Sequence, residues 1–242
     1  MKKFNAAMSL LILIFCSFHC DSITDTEYDN QFNICGVLRA DAYSILMVQE
    51  VRVDQTYKMD ERSEPWVDDA FVLLSYRTQL DTLYYYDGGL YHDYCDFEPL
   101  DTVSIMAIKD GLDTLFGSTI IPGPISIIHP NPHNTVSFSD SIILKICDNG
   151  AMYYGYGEKI EGWDRLEAYY LPEENDTLII IPLQGFGDYL GVGYYHFQFV
   201  VFDSNYYNYF IDNDSIVSAG VTGGIGLFGS SYMTEIYFEL VE

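Results

Sequence analysis

Gly193-Tyr194-Tyr195-His196-Phe197-Gln198-Phe199-Val200-Val201-Phe202 decides the fold class of this chain. Phe197, Phe199 and Val201 fall on one side of an extended backbone, and His196, Gln198 and Val200 on the other. A period of two is the mark of a strand with one face in a core. The same alternation recurs outward from it. Thr234, Ile236, Phe238 and Leu240 alternate with Glu235, Tyr237 and Glu239. Ile45, Met47, Val51 and Val53 share a face opposite Glu50 and Arg52. Ile179-Ile180-Ile181 reads as a strand buried on both faces. No stretch carries a helical stripe with caps. Breakers recur at short intervals: Asp87-Gly88-Gly89, Asp110-Gly111, Pro122-Gly123-Pro124, Asp148-Asn149-Gly150 and Gly223-Gly224. Short strands with turn signals at this spacing predict an all-β chain of consecutive β-sandwiches.

Two prolines around Gly123 cannot continue a central strand, so the chain divides there. The expected units are a signal peptide over 1–19, an acidic flexible lead-in over 20–31, one sandwich over 32–122 and a second over 123–242, the latter closing on glycine-rich strands. The leader reading rests on Met1-Lys2-Lys3 followed by the apolar run Met8 to Phe18. That is the layout of an export signal, and the run is about half the length of a membrane-spanning helix. Cys20 sits where a lipoprotein cysteine receives its lipid. Ser17-Phe18-His19-Cys20 lacks the aliphatic and the small residue of the usual box, and Leu13-Ile14-Phe15-Cys16 has only the aliphatic. Ordinary cleavage after Ser22 is the alternative. Lipidation would make the protein a lipid-anchored resident of the outer membrane or cell surface; plain cleavage would leave it periplasmic or secreted.

Composition narrows the function classes. With 36 acidic and 11 basic residues the formal net charge is −25. Such a field repels phosphate backbones, so nucleic acid is not an expected partner. Hydrophobic residues at 49% rule out a solvated coil. Aromatics reach 16%, mostly as 22 tyrosines. Doublets such as Tyr84-Tyr85-Tyr86, Tyr153-Tyr154, Tyr169-Tyr170 and Tyr194-Tyr195 can each place one ring in the core and one outside. A flat row of outward rings would suit carbohydrate; Trp66 and Trp163 are further candidates for stacking on sugar.

The three cysteines beyond the leader, Cys35, Cys95 and Cys147, leave one possible disulfide, Cys35 with Cys95, against three free thiols. No Cys-x-x-Cys spacing exists, so no structural zinc site is expected. In His129-Pro130-Asn131-Pro132-His133 the prolines forbid a helix, and extended residues four apart lie about 13 Å from each other. Asp203, Asn205, Asp212 and Asp214 (with Asn213 between the last two) offer oxygen ligands at alternate positions, a weak calcium site without the glycine and distal glutamate of a full loop. No other cofactor is expected. Ser230 lacks the context of a nucleophile elbow, and the glycines at 223, 224, 226 and 229 precede no helix that could cradle phosphate. No enzyme is expected; a hydrolase ranks last.

Phe32 to Arg39, Ile45 to Asp54, Asp69-Ala70-Phe71-Val72-Leu73-Leu74, the Gly88-Gly89-Leu90-Tyr91 turn and Thr102 to Gly111 follow one another in an order that resembles an uncharacterised family of Bacteroidota outer-membrane lipoproteins, a domain of unknown function. That order is similar to transthyretin-like or carboxypeptidase-regulatory-like sandwiches. Ile125 to Pro130, Ser141 to Cys147 and Gly193 to Asp203, with the close Gly223 to Ser230, resemble a fibronectin-type-III sandwich. The usual tryptophan of its second strand is missing. The resemblance implies a non-catalytic binding or assembly accessory, held to the membrane by lipid and beside an envelope protein partner such as a nutrient-uptake receptor. The alternative is a carbohydrate-binding surface module.

Overall fold

The computed structural model describes residues 30–42, 47–57, 65–162, 165–186, 190–212 and 217–242. Strand follows strand: β1 (Phe32–Asp41), β2 (Met47–Gln55), β3 (Phe71–Tyr76), β4 (Gln79–Asp87), β5 (Leu90–Cys95), β6 (Thr102–Ile108) and β7 (Leu115–Ile120). After Pro122-Gly123-Pro124 come β8 (Ser126–His129), β9 (Thr135–Ser137), β10 (Ser141–Lys145), β11 (Met152–Lys159), β12 (Arg165–Tyr170), β13 (Leu178–Pro182) and β14 (Gly193–Phe202). A short helix, α1 (Ser204–Phe210), then precedes β15 (Ser218–Ala219), β16 (Val221–Thr222) and β17 (Gly224–Val241). The all-β sandwich architecture expected from the alternation is what the chain adopts.

In the first half, β1, β2 and β5 form one layer, and β3, β6, β7 and β16 form part of the other. β4 belongs to both: it pairs with β3 from Gln79 to Leu83 and with β5 from Tyr84 to Asp87. Inward residues follow the period of two, with Ile34, Leu38, Val51, Val53 and Tyr91 from one layer and Val72, Leu74, Val103, Ile105 and Leu115 from the other. Gln49 takes an inward place although polar. Its amide nitrogen donates to the Arg39 carbonyl and its oxygen accepts from the Arg39 N–H, both at 2.9 Å. A buried polar side chain satisfied at both ends costs little.

The second half packs β12-β11-β14-β17 over the three-stranded sheet β13-β10-β8. Tyr195, Phe197, Phe199 and Val201 of β14 enter the core beside Ile236, Phe238 and Leu240 of β17. Phe197 and Phe238 stack with centroids 5.3 Å apart. Such pairs contribute about 0.5–1.5 kcal/mol each beyond the area they bury. The Ile179–Ile181 expectation is corrected here: Ile179 is buried, but Ile180 is 60% exposed. The sheet β13-β10-β8 buries one face, with Ile142, Leu144 and Ile179, and turns the other, with Ile180 and Leu178, to solvent.

Two further features depart from the sequence reading. Ser204–Phe210 is helical, begun by Asp203, whose side chain accepts from the Tyr206 N–H; the Asp-Ser-Asn run is a helix cap, and a single 3-10 turn covers Leu183–Phe186. The glycine-rich last strand also does more than close the second half. β17 runs parallel to β1 from Gly224 to Met233 and antiparallel to β14 from Ser231 to Leu240. It thus joins the β1 layer of the first half and the β14 sheet of the second into one sheet, crossing back over the Pro122-Gly123-Pro124 division. Gly226, at φ +110°, allows the close approach: a Cβ there would run into the Ile34 carbonyl.

Candidate functional site

The outward face of β4, β5 and β2 gathers rings. Alternation puts Tyr91 and Cys95 of β5 inside, so His92 and Tyr94 point out. On β4, Leu83 points in, and Tyr84 and Tyr86 point out, 64% and 68% exposed. The register sets Tyr84 beside His92, and His92 beside Glu50 of β2. A bulge between Tyr85 and Asp87 swings Tyr86 over His92, where the two rings stack at 5.2 Å. Tyr85 turns to the core side and meets Tyr91 edge-on at 5.6 Å. Tyr94, 59% exposed, lies opposite Val48.

Trp66 extends this face. It bridges to Asp54 just past the end of β5, and the Arg52 guanidinium lies over its ring at 5.4 Å. The cation is attracted to the negative face of the indole. The chain reaches this place through Gly89, whose φ of +79° and 2.8 Å clearance from the Val53 carbonyl leave no room for a side chain. Beneath, Asp54 Oδ1 is buried without a hydrogen-bond partner, and burial pushes this carboxyl above its ordinary range. Tyr84, Tyr86, His92, Tyr94 and Trp66 therefore line one surface of adjacent strands, with Glu50 and Arg52 beside them. Flat apolar rings ringed by a few hydrogen-bonding groups can bind a ligand that has both CH faces and hydroxyls; they supply no nucleophile or metal.

The other candidates scatter. Cys20, Trp163 and Asp214 lie outside the described residues. Cys35, Cys95 and Cys147 are free thiols, which corrects the Cys35–Cys95 pairing. Cys35 sits opposite Arg52 and Cys95 opposite Met47, on two different sides of β2 and five residues apart along it. That is about 17 Å along the strand, far beyond disulfide reach. Cys35 is exposed and Cys95 buried; burial, with Asp81 and Asp93 nearby, pushes the Cys95 thiol up to about 12. His129 pairs with Ile143, whereas His133 stacks on Tyr237, which also stacks on His196. The two imidazoles do not converge.

Nor do the calcium candidates. Asp203 is buried; its Oδ1 accepts from the Tyr206 N–H at 3.0 Å and its Oδ2 from the Thr119 hydroxyl at 2.5 Å. Asn205 donates to the carbonyls of Ser118 and Phe228, both at 2.9 Å. Both side chains are committed to protein partners, so the cation reading is withdrawn for them. Asp212 is exposed at the helix end. Ser230 is buried too. Its hydroxyl lies 2.7 Å from the Thr119 oxygen and 2.9 Å from the Ile120 carbonyl, and because Thr119 gives its proton to Asp203, the single Ser230 proton has these two acceptors. Asp203, Thr119 and Ser230 form a rivet joining α1, β7 and β17. Among the described residues no three His, Cys, Asp or Glu side chains cluster as a metal site would need.

His92 and Tyr94 escaped the sequence reading, which weighed tyrosine doublets and tryptophans. The signal was present in Leu90-Tyr91-His92-Asp93-Tyr94-Cys95: the alternation that buries Tyr91 and Cys95 turns the other two outward.

No family model matches the chain, and no curated protein matches it in sequence. Among solved structures, the chicken CNTN1 FN1-FN3 domains are similar at a TM-score of 0.27 and 10% identity, over 88% of this chain and 67% of that one. A cytokine receptor complex is similar at 0.31 and 9% identity, over 84% of this chain and 95% of the other. A 1.5-MDa bacterial ice-binding adhesin is similar at 0.23 and 11% identity; 87% of this chain matches, spanning 64% of that chain. Scores this low bear on neither ligand nor role.

Proposed function

We propose that this protein is an exported, non-catalytic binding module of the bacterial cell envelope, and that its binding face is the aromatic surface of β4, β5 and β2, which takes neutral carbohydrate. The observation that carries this is the set Tyr84, Tyr86, His92, Tyr94 and Trp66 on one outward face. Rings of that kind stack on the CH faces of pyranoses, and Glu50 offers an acceptor to hydroxyls. The net charge of −25 argues against anionic polysaccharides. A glycan array probed with the full chain tests it. Neutral glycans should be retained, and the Tyr84→Ala/Tyr86→Ala double variant should lose them. Retention unchanged in that variant, or no retained glycan, would sink the assignment.

Attachment is part of the same proposal: Cys20 carries lipid and holds the sandwiches at the outer membrane or cell surface. Palmitate labelling should mark the wild type and spare Cys20→Ala; equal labelling in both would refute it. A second reading, docking to an envelope protein, draws on the small sheet, where Leu178 and Ile180 of β13 and, on the far side of β10, Ile128 of β8 are exposed. Apolar patches of this sort favour protein contact. Cross-linking in envelope membranes that captures one partner through this face, lost in Ile180→Lys, would support it.

A further inference from the structure

Away from the aromatic face, the common sheet forms a groove where it passes from β14 through β17 to β1. The groove holds about 420 Å³, within the range of about 300–1,000 Å³ that small-molecule sites occupy. Val200 and Phe202 of β14 and Met233 of β17 supply its apolar floor; Val200 lies directly across from Met233, and Phe202 from Ser231. Tyr154 of β11 and Tyr206 of α1 border it on one side, and the Tyr206 ring stacks on Phe202 at 4.0 Å. On the other side stands Arg39, which lies across from Ser231. It is the one charged side chain in the lining among the described residues.

Arg39 is one of three described lysines and arginines, with Arg52 and Lys145, that make no ion pair among the described residues, and it is the one that borders this groove. Acidic residues outnumber basic ones 36 to 11, and Arg77, Lys109 and Arg165 all hold carboxylates. The Arg39 guanidinium has no carboxylate within ion-pair distance among the described residues. An unpaired planar cation next to an apolar trough matches a ligand with one planar anion and an apolar body, because a guanidinium donates two parallel hydrogen bonds to a carboxylate.

We propose that this groove binds a small monocarboxylate with an apolar tail, the carboxylate on Arg39 and the tail over Val200, Phe202 and Met233. The charge must be single. Asp41, across from Met233, and Glu235, across from Gln198, flank the site, and with one cation available a doubly charged phosphate would meet more repulsion than attraction. The acidic surface weakens long-range attraction for any anion, but screening confines that effect to about 8 Å at physiological salt. Recognition is therefore short-range, with burial of the tail providing affinity and Arg39 providing selection.

Titration calorimetry of the full chain with sodium octanoate and with uncharged octanamide tests this. Octanoate should bind saturably at one site, and octanamide about tenfold or more weakly, the difference expected for one charge-assisted pair. Arg39→Gln, an exposed position, should keep the fold by circular dichroism, bind octanamide as before and lose the preference for octanoate. Val200→Glu should abolish both. No saturable octanoate binding, or an Arg39→Gln variant that keeps the preference, overturns the proposal. The aromatic face shares no residue with this groove, so Tyr84→Ala/Tyr86→Ala leaves octanoate binding unchanged, and a failed glycan array leaves this test intact.

Discussion

Removing the Asp203 carboxylate should loosen both halves of the molecule at once. Asp203→Ala deletes the acceptor that caps α1, worth about 1 kcal/mol. It also deletes a charge-assisted hydrogen bond from Thr119, of order 1.5–3 kcal/mol. Two effects offset this. Thr119 keeps its bond to Ser230, so its hydroxyl is not stranded, and a carboxylate that burial disfavours is gone. The net expectation is a loss of about 2 kcal/mol, or roughly 4–8 °C in midpoint for a chain of this size. Thr119→Val should cost about as much by the opposite route, leaving Asp203 Oδ2 buried without its donor. Because the three groups share one network, the double variant should cost less than the sum of the singles. The assay is urea unfolding followed by Trp66 fluorescence in a Trp163→Phe background, which reports on the first half, and by hydrogen exchange of β14 and α1 in the second. Both probes should shift together. A loss below about 0.5 kcal/mol, or faster exchange confined to the second half, would refute the idea that this network rivets one half to the other.

Burial, partly opposed by hydrogen bonds from Thr119 and backbone N–H groups, holds the Asp203 carboxyl above its ordinary 3.8. The folded chain thus binds that proton more tightly than the unfolded one, and the contribution to stability is full below pH 3.8 and lost as pH rises through the raised value. Asp203→Asn should show a shallower decline above pH 3.8 than wild type in unfolding midpoints measured across pH; parallel curves would contradict it. Gly89→Ala should destabilise by about 1–3 kcal/mol, since φ is positive and the new methyl meets the Val53 carbonyl; thermal unfolding checks this, and an unchanged midpoint would show the turn to be permissive. A thiol reagent should modify Cys35 in the native chain and Cys95 only in denaturant, given their exposure; burial raises both thiols, that of Cys95 up to about 12; quick labelling of Cys95 in the native chain would contradict its burial.

Much of the fold was legible because strands with one buried face write their pairing into every second residue. Phe197, Phe199 and Val201 went inside as their alternation required, and Pro122-Gly123-Pro124 ended a strand where two prolines had to. What escaped depended on partners distant in sequence. Nothing in Ile179-Ile180-Ile181 says that the small sheet has a layer on one face only, so its outward Ile180 was unreadable. Gln49 looks like a surface residue until the Arg39 backbone supplies both of its partners. Asp203 and Asn205 resemble calcium ligands in isolation; only Thr119, Ser118 and Phe228, brought from elsewhere, turn them into a cap and a clasp. The parallel ladder of β17 with β1 leaves no local trace, because the same alternation fits either side of a strand. The proposed binding face was half readable: the tyrosine cluster was visible, but the company of His92 and Trp66 comes from register and a bulge.

The pairing of Phe32 with Gly224 also governs timing. A polypeptide that leaves the ribosome beginning with its amino end cannot complete its earliest sandwich until the closing segment has emerged, since β1 waits for a neighbour made near the end of synthesis. Long-separation contacts of this kind slow folding. On the export route proposed above, that postponement would keep the cargo pliable until it has crossed.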